Sequence, residues 1–298
     1  MSDADSLRRF LFEDAPLRGH WVRLVDTWRE ARVHQSLPPA VRDLLGEALA
    51  AAALLAASLK FDGTLTLQLR GGSGQVSMLI AQATSEHTLR GVAHCQGEPD
   101  PGHSGFADLV GKGQLVITVE RGGGAAPWQG IVPLDEESLA ACLERYFEVS
   151  EQLPTRVVLA ADAGAAGGLL LQKLPAPGGE AAEARLQDLW EEAGAMLATL
   201  SGAELLVAGP QVLLTRLFGG HDLRLFDADT LRFACRCSRQ RVGAMLQALG
   251  REEVDSILAE QGAVTVTCEF CMKPYRFDAV DAAQLFTPPA GGGSTSLN

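Results

Sequence analysis

Two pairs of cysteines near the C-terminal end are the residues best suited to chemistry. Cys235 and Cys237 are separated by one residue, and Cys268 and Cys271 by two. Thiolates are the softest ligands that side chains offer, and four of them suit a tetrahedral Zn²⁺ site. Each pair is also short enough in sequence to close into a local disulfide. The four sulfurs can therefore form a metal site in one redox state and two bridges in another.

A permanent structural zinc site is the simpler of two interpretations. A C-terminal unit of about fifty residues buries too little surface for a secure core, and zinc contributes roughly 10–16 kcal/mol in small zinc modules. The second interpretation is a redox switch, in which oxidation of the thiols dismantles the unit. Arg236, Arg239 and Arg241 surround the first pair. Positive neighbours favour the reactive thiolate, although these arginines also fit a solvated helix face.

Composition and charge exclude several classes of protein. The 298 residues carry a formal net charge of -12 without a long basic run, whereas electrostatic binding of nucleic acid needs clustered Lys and Arg. The longest apolar stretch, Leu44–Leu59, contains Glu47 and is too short to span a bilayer. The first residues also lack an apolar targeting segment. We therefore expect a cytoplasmic protein with no nucleic-acid or membrane partner.

A reducing cytoplasm makes metal or redox chemistry a better account of clustered cysteines than structural disulfides. The remaining two cysteines, Cys95 and Cys142, stand alone in a strand-like and a helix-like run. We predict that both are small buried side chains rather than reactive thiols.

Residues 1–178 combine short strand-like runs with a few helices. Polar and apolar residues alternate over Thr64–Leu69, as in a half-buried strand, and the Ala-rich run Asp43–Leu59 has helical spacing. Consecutive strands with few strand–helix–strand units indicate an α+β fold with a mainly antiparallel sheet. Further strands are predicted at Gln75–Ala81, Leu89–His94, Gln114–Glu120, Gln129–Leu134, Arg156–Ala161 and Gly168–Leu174, and a helix at Asp135–Val149.

A Pro/Gly-rich break at 175–179 separates this part from an acidic linker that we place at residues 179–231. Its first part, Ala181–Leu200, is a predicted amphipathic helix. Such a helix is marginal alone in water and needs an apolar surface to lie on. It can be a core helix or a docked segment that can be released. Its predicted apolar stripe is Leu186, Leu189, Trp190, Ala193, Met196, Leu197 and Leu200, and its acidic face is Glu183, Asp188, Glu191 and Glu192.

We expect a compact C-terminal unit at residues 232–286 and a disordered Pro/Gly/Ser-rich tail at 287–298. Residues that favour helix starts and ends mark the limits of the predicted helices. Polar and apolar residues alternate on both sides of the second cysteine pair, which predicts a strand on each side. The predicted elements are a helix capped by Ser238 and ended by Gly250, a helix at Arg251–Gln261, and strands at Val264–Thr267 and Tyr275–Phe277.

The sequence contains no convincing active site, which argues against an enzyme. Residues 111–114 (GKGQ) lack the Ser or Thr that follows the lysine of a Walker A loop. A zinc-ribbon regulatory protein that binds nucleic acid is one alternative, but the C-terminal unit is nearly charge-balanced. A thiol–disulfide oxidoreductase is another, although such enzymes place the Cys-x-x-Cys motif at a helix start in a βαβ setting.

Four stretches of the sequence, two of them containing the cysteine pairs, resemble those of a known protein family. They are residues 146–155 (YFEVSEQLPT), residues 167–175 (GGLLLQKLP), residues 233–239 (FACRCSR), and residues 268–271 (CEFC) followed by Tyr275 and Phe277. Together they resemble the bacterial 33 kDa chaperonin family, a redox-regulated heat-shock holdase. The similarity runs from about residue 5 to residue 286, without a departure at the motif positions.

The resemblance implies that Cys235, Cys237, Cys268 and Cys271 hold one Zn²⁺ as thiolates in a reduced, inactive protein. Peroxide or hypochlorous acid, helped by heat, then joins Cys268 to Cys271 and Cys235 to Cys237, with zinc release, unfolding of the C-terminal unit and disorder of the linker. It also implies a homodimer when activated and ATP-independent capture of unfolding client proteins. These clients later pass to ATP-dependent chaperones.

The residues and the resemblance give one predicted organisation. We expect an α+β protein with an N-terminal α/β core, a helical linker and a small zinc-binding C-terminal domain. Its predicted parts are residues 1–178 for client binding and dimerisation, 179–231 as the linker, 232–286 as the zinc and redox-switch domain, and 287–298 as the tail.

Overall fold

The computed structural model describes residues 4–59, 61–96, 105–122, 126–175 and 179–287. The chain forms two compact units, the first ending at Ala234 and the second beginning at Cys235. It therefore divides immediately before the first cysteine of the two pairs. The predicted tail beyond residue 287, and residues 176–178 of the predicted break, lie outside the described residues.

Every strand predicted from alternation is present, with ends displaced by at most three residues. The strands are β1 (Ser6–Phe12), β2 (Leu17–Leu24), β3 (Gly63–Arg70), β4 (Val76–Thr84), β5 (Thr88–Cys95), β6 (Gln114–Arg121), β7 (Trp128–Pro133), β8 (Thr155–Ala161), β9 (Ala166–Lys173), β10 (Leu223–Thr230), β11 (Arg232–Phe233), β12 (Val264–Thr267) and β13 (Pro274–Phe277). The helices are α1 (Asp26–Arg32), α2 (Pro39–Ser58), α3 (Phe106–Val110), α4 (Leu139–Tyr146), α5 (Gly179–Leu197), α6 (Gly202–Val207), α7 (Pro210–Phe218), α8 (Arg239–Leu249), α9 (Arg251–Gln261) and α10 (Ala279–Leu285), with a π-helical turn at Phe147–Glu151.

The first unit contains two sheets, which confirms the predicted α+β class. One sheet has the strand order β10-β1-β2-β9-β8, and the other has the order β11-β5-β4-β3-β6-β7. Their pairings are antiparallel except for the short parallel pair of β11 with β5. Antiparallel neighbours need only tight connections, which explains why consecutive strands such as β3, β4 and β5 lie side by side.

Helix α2 packs against strands of both sheets and forms the centre of the core. Its small side chains permit this close approach: a Cβ atom at Gly46 would lie 2.6 Å from the Cβ of Ala161. The helix begins at Pro39, four residues before the predicted start, because proline suits the first turn of a helix. Among the described residues, no helix has both the length and the apolar character needed to cross a membrane.

The outer face of the β1-containing sheet is covered by α5, α6 and α7. Strand β9 is buried almost throughout, because one of its faces packs on α2 and the other on these helices. The rings of Phe12 and Phe218 meet edge to face, with centroids 5.3 Å apart. The sheet side of this cluster is Phe10, Phe12, Leu17, Trp21, Ala160, Leu169 and Leu171, and the helix side includes Leu186, Trp190, Ala193, Leu197, Leu213, Leu217 and Phe218.

The amphipathic prediction for α5 is largely confirmed. Its acidic face is exposed, and its stripe is buried with two exceptions: Leu189 is half-buried, and Met196 is 41% exposed. The predicted stripe is therefore too wide, because Met196 lies outside the buried contact. The predicted helical linker also contains a strand, since β10 extends the sheet beside β1.

Two other expectations need correction. Cys142 is buried as predicted, but Cys95 is exposed, because it is the last residue of β5, where the strand leaves the sheet. The helix predicted at Asp135–Val149 begins only at Leu139, since Ser138 is the N-cap and accepts a hydrogen bond from the Ala141 N–H.

The second unit is built from α8, α9, α10 and the antiparallel pair β12–β13. Ser238 accepts a hydrogen bond from the Arg241 N–H, and Gly250 ends the helix with a φ of 103°, so both signals are confirmed. Helix α10 was not predicted; Asp278 and Asp281 form a capping box at its start. The buried core is small, and its members are Leu246, Val254, Val264, Tyr275, Phe277 and Ala282.

Glu47 is a source of pH dependence in the first unit. Burial, with a smaller contribution from the Asp43 carboxylate, raises the pKa of Glu47 from 4.5 to about 7. Between these two values the folded protein retains a proton that the unfolded chain releases. The stability linked to Glu47 is therefore complete below pH 4.5 and decreases as the pH rises through about 7.

Replacing Glu47 should remove this loss. We expect Glu47→Gln to raise the free energy of unfolding by up to about 3 kcal/mol at pH 8, but by less than about 1 kcal/mol at pH 5. Urea unfolding followed by tryptophan fluorescence measures this unit, since all four tryptophans precede Ala234. The exposed Glu30 supplies a control, Glu30→Gln, with an expected change within about 0.5 kcal/mol. Equal gains for Glu47→Gln at both pH values would contradict this account.

Candidate metal centre

The four predicted ligand residues come together within the second unit. Cys235 and Cys237 lie in the segment between β11 and α8, which forms neither a helix nor a strand, and Ser238 caps α8 directly after them. Cys268 and Cys271 lie in the connection between β12 and β13. The antiparallel pairing of these two strands closes the connection into a tight turn, and both of its cysteines face the first pair.

The spacing of the four sulfurs matches a tetrahedral metal site. All four Sγ atoms lie within 4.8 Å of one another, and both the Cys235–Cys268 and the Cys237–Cys271 distances are 3.5 Å. A tetrahedron with metal–sulfur bonds of about 2.3 Å has edges of about 3.8 Å. A disulfide needs about 2.05 Å, so these are free thiols. Among the described residues, this is the cluster of His, Cys, Asp or Glu side chains that could hold a metal ion.

The second pair is held in a turn from Cys268 to Lys273, called the cysteine turn below. The Cys268 N–H donates to the Lys273 carbonyl at 3.0 Å, and the Met272 N–H donates to the Cys268 carbonyl at 2.7 Å. Backbone N–H groups of the turn also hydrogen-bond to the two sulfurs: Phe270 and Cys271 to Cys268, and Lys273 to Cys271. Met272 closes the turn with a φ of 54°, a left-handed conformation that costs about 1–2 kcal/mol for a residue with a side chain.

Tyr275 provides a side-chain hydrogen bond to the first pair. Its hydroxyl donates to the Sγ atom of Cys237 at 3.1 Å. This bond, together with burial, raises the pKa of Tyr275 to about 12, so the phenol keeps its proton at neutral pH. The sequence predicts Tyr275 as a strand residue and as part of the family motif, but not as a hydrogen-bond partner of Cys237. The alternation of β13 was the available signal, because it places Tyr275 and Phe277 on the same buried face.

The thiols do not ionise equally. Burial raises the pKa of Cys237, but hydrogen bonds from Tyr275 and the neighbouring sulfurs outweigh it and lower the pKa to about 7. Burial raises the pKa of Cys268, and burial with the neighbouring sulfurs raises that of Cys271 to about 12. A first thiolate therefore opposes the ionisation of the next. Four thiolates at these distances require a cation, and this donor set fits Zn²⁺.

The arginines beside the first pair have structural partners. Arg239 forms an ion pair with Asp281 at 2.7 Å and lies over the ring of Phe277 at 4.3 Å. Arg241 donates to the backbone carbonyl of Arg236 at 2.6 Å. The lowered pKa of Cys237 comes from hydrogen bonds. The arginines are therefore better described as surface residues than as the cause of thiolate formation.

Comparison with known proteins agrees with this architecture. A profile of the family described as Hsp33 protein matches residues 5–278. The chain belongs to the Hsp33 family. It is 43% identical over 296 residues to the 33 kDa chaperonin of Nitrosococcus oceani, covering 99% of each chain. It is 45% identical over 295 residues to the 33 kDa chaperonin of Azotobacter vinelandii, covering 99% of this chain and 97% of the relative.

The fold is also shared with a solved structure of the Hsp33 family. The crystal structure of the 33 kDa chaperonin (heat shock protein 33 homolog) from Thermotoga maritima superposes with a TM-score of 0.81 at 26% identity. The match covers 94% of this chain and 97% of the other. The resemblance noted in the sequence is thus confirmed at the level of family and fold.

The strained position in the cysteine turn gives a test of local stability. Because glycine adopts left-handed φ values without steric cost, Met272→Gly should stabilise the second unit by about 0.5–1 kcal/mol. The matched control is Met245→Gly in α8, where the methionine is similarly exposed but glycine in a helix costs about 1 kcal/mol. Hydrogen exchange of amides in β12 and β13 measures both variants. Shifts of the same sign in the two variants would show that Met272 is not strained.

Proposed function

We propose that this chain is a redox-regulated, ATP-independent holdase. In the reduced state its four cysteines bind one Zn²⁺ and the protein is inactive; disulfide formation activates it to capture unfolding client proteins. The observation that carries the proposal is the set of four sulfurs at tetrahedral spacing, in a unit with a small core. Relatives that match nearly the whole chain are named 33 kDa chaperonins, which supports a chaperone role.

The reduced state depends on the metal because the second unit has little else to stabilise it. Its buried cluster contains six side chains, and a unit of about fifty residues buries too small a fraction of its surface for a secure core. A bound zinc ion would supply roughly 10–16 kcal/mol by cross-linking the two cysteine pairs. The metal then decides whether this unit folds.

Oxidation removes the ligands. We propose that peroxide converts Cys268 and Cys271 into one disulfide and Cys235 and Cys237 into another. For each bridge two zinc-bound thiolates lose two electrons to one molecule of hydrogen peroxide, which takes up two protons from the solvent and becomes two molecules of water, and the zinc ion is released when both bridges have formed. The bridged cysteines can no longer hold a cation, and the small core cannot keep the unit folded.

The first unit offers a surface that such an event can uncover. Helices α5, α6 and α7 cover an aromatic and aliphatic sheet face that includes Phe10, Trp21 and Leu171. The chain that forms this cover continues through β10 and β11 into Cys235. Unfolding of the second unit would therefore free the C-terminal end of the covering segment. Chain entropy then favours release of the helices. The exposed face would bind unfolding clients and a second copy of the chain.

The outer surface of the cover fits a segment that must stay in solution after release. Glu183, Asp188, Glu191 and Glu192 are exposed along α5, and few ion pairs hold the helix at its rim, such as Lys173 with Glu183 at 2.6 Å. We propose that bound clients pass later to ATP-dependent chaperones, since the sequence offers no nucleotide-binding motif with which this chain could release them itself. A reducing cytoplasm would keep the switch off.

The zinc step can be tested by metal analysis. We expect one zinc per reduced wild-type chain, and a roughly 100- to 1,000-fold weaker affinity in Cys268→Ser, if one ligand accounts for about a quarter of the folding energy of a zinc module. The control is Cys95→Ser, because Cys95 is exposed and lies in the first unit. Loss of zinc from both variants, or from neither, would count against this site.

The activity can be tested by light scattering from a thermolabile client enzyme. Reduced protein should leave aggregation unchanged, whereas protein treated with peroxide at mildly raised temperature should suppress it at near-equimolar ratio. The Cys95→Ser variant should behave like the wild type, and a Cys268→Ser, Cys271→Ser double variant should no longer switch with peroxide. Equal protection by reduced and oxidised wild-type protein would refute the proposed regulation.

A further inference from the structure

Cys237 and the two cysteines of the second pair accept hydrogen bonds of different kinds. In the cysteine turn, the sulfurs of Cys268 and Cys271 accept backbone N–H groups, because the turn folds the chain around them. The segment through Cys237 forms neither a helix nor a strand. The Sγ atom of Cys237 accepts the hydroxyl of Tyr275, a residue 38 positions away in sequence, at 3.1 Å.

The Tyr275 side chain is held in place by packing as well as by its hydrogen bond. It is 6% exposed and belongs to the core cluster with Leu246, Val254 and Phe277. Its backbone is paired with Val266 in the β12–β13 hairpin. The strand that begins directly after the cysteine turn thus carries a donor to the other cysteine pair. Because packing holds the ring, little additional side-chain entropy is lost when the hydroxyl bonds to sulfur.

We propose that Tyr275 is a positioning residue for Cys237, which orients the sulfur toward the metal and withdraws charge from the thiolate. This inference rests on the metal site of the proposed function. A hydrogen bond to a ligand atom fixes its direction, and loss of such a partner commonly weakens metal binding 10- to 100-fold. The same bond reduces the electron density that a bound thiolate offers to peroxide. Tyr275 therefore sets both the affinity for the metal and the oxidant threshold.

The variant Tyr275→Phe tests this role because it keeps the ring and its packing and removes only the hydroxyl. The chain contains two tyrosines, which provides a matched control. Tyr146→Phe removes a hydroxyl that donates to Glu151 at 2.6 Å in the first unit. We expect Tyr275→Phe to bind zinc 10- to 100-fold more weakly in competition with a chromophoric chelator, and to release it faster under a fixed peroxide concentration. Tyr146→Phe should match the wild type in both measurements.

Substitution of Co²⁺ separates this role from general destabilisation. At saturating Co²⁺, tetrahedral d–d bands would show that the site has formed in Tyr275→Phe, and a shift of the sulfur-to-cobalt charge-transfer band would report the changed thiolate. A charge-transfer band and zinc affinity equal to those of the wild type would overturn the positioning role. Weaker binding with an unshifted band would also overturn it, and would assign Tyr275 to packing alone. Absence of stoichiometric metal from the wild type would instead overturn the proposed function itself.

Discussion

Four sulfur atoms within 4.8 Å of one another impose the central constraint on this protein. They cannot all carry charge unless a cation lies among them, and they cannot all be bonded to one another while they hold that cation. Among the described residues, the core of the second unit is a single small cluster packed between three short helices and a hairpin. In the proposed function, the chemistry of the sulfurs and the folding of the unit are therefore one equilibrium.

The first unit has the complementary property that one of its apolar surfaces is covered from outside. Strands β9 and β2 are buried on both faces, as strands at the centre of a three-layer arrangement are. One covering layer, α2, is integral to the core, whereas the other consists of α5, α6 and α7, of which α5 has an acidic outer face. In the proposed function, this difference between the layers lets one sheet serve both as a stable scaffold and as a covered binding surface.

The sequence contained the fold class, most strands and the four clustered cysteines, because alternation, caps and cysteine spacing are local signals. Strands β1 and β2 were missed, because arginines interrupt the alternation of polar and apolar residues in SLRRFLF and LRGHWVRL. Strand β10 was missed because an exposed edge strand carries little hydrophobic pattern. The exposure of Cys95 and the bond from Tyr275 to Cys237 depend on tertiary placement, which neighbours in sequence do not encode.

Helix α2 packs between the two sheets of the first unit. Its interface with them combines fully buried leucines, such as Leu45, Leu49 and Leu54, with alanines between Ala48 and Ala53 and with Gly46. The small side chains let the helix backbone approach the strands closely, and the leucines fill the remaining space. A larger side chain in place of one of these alanines would therefore have to displace the helix or a strand.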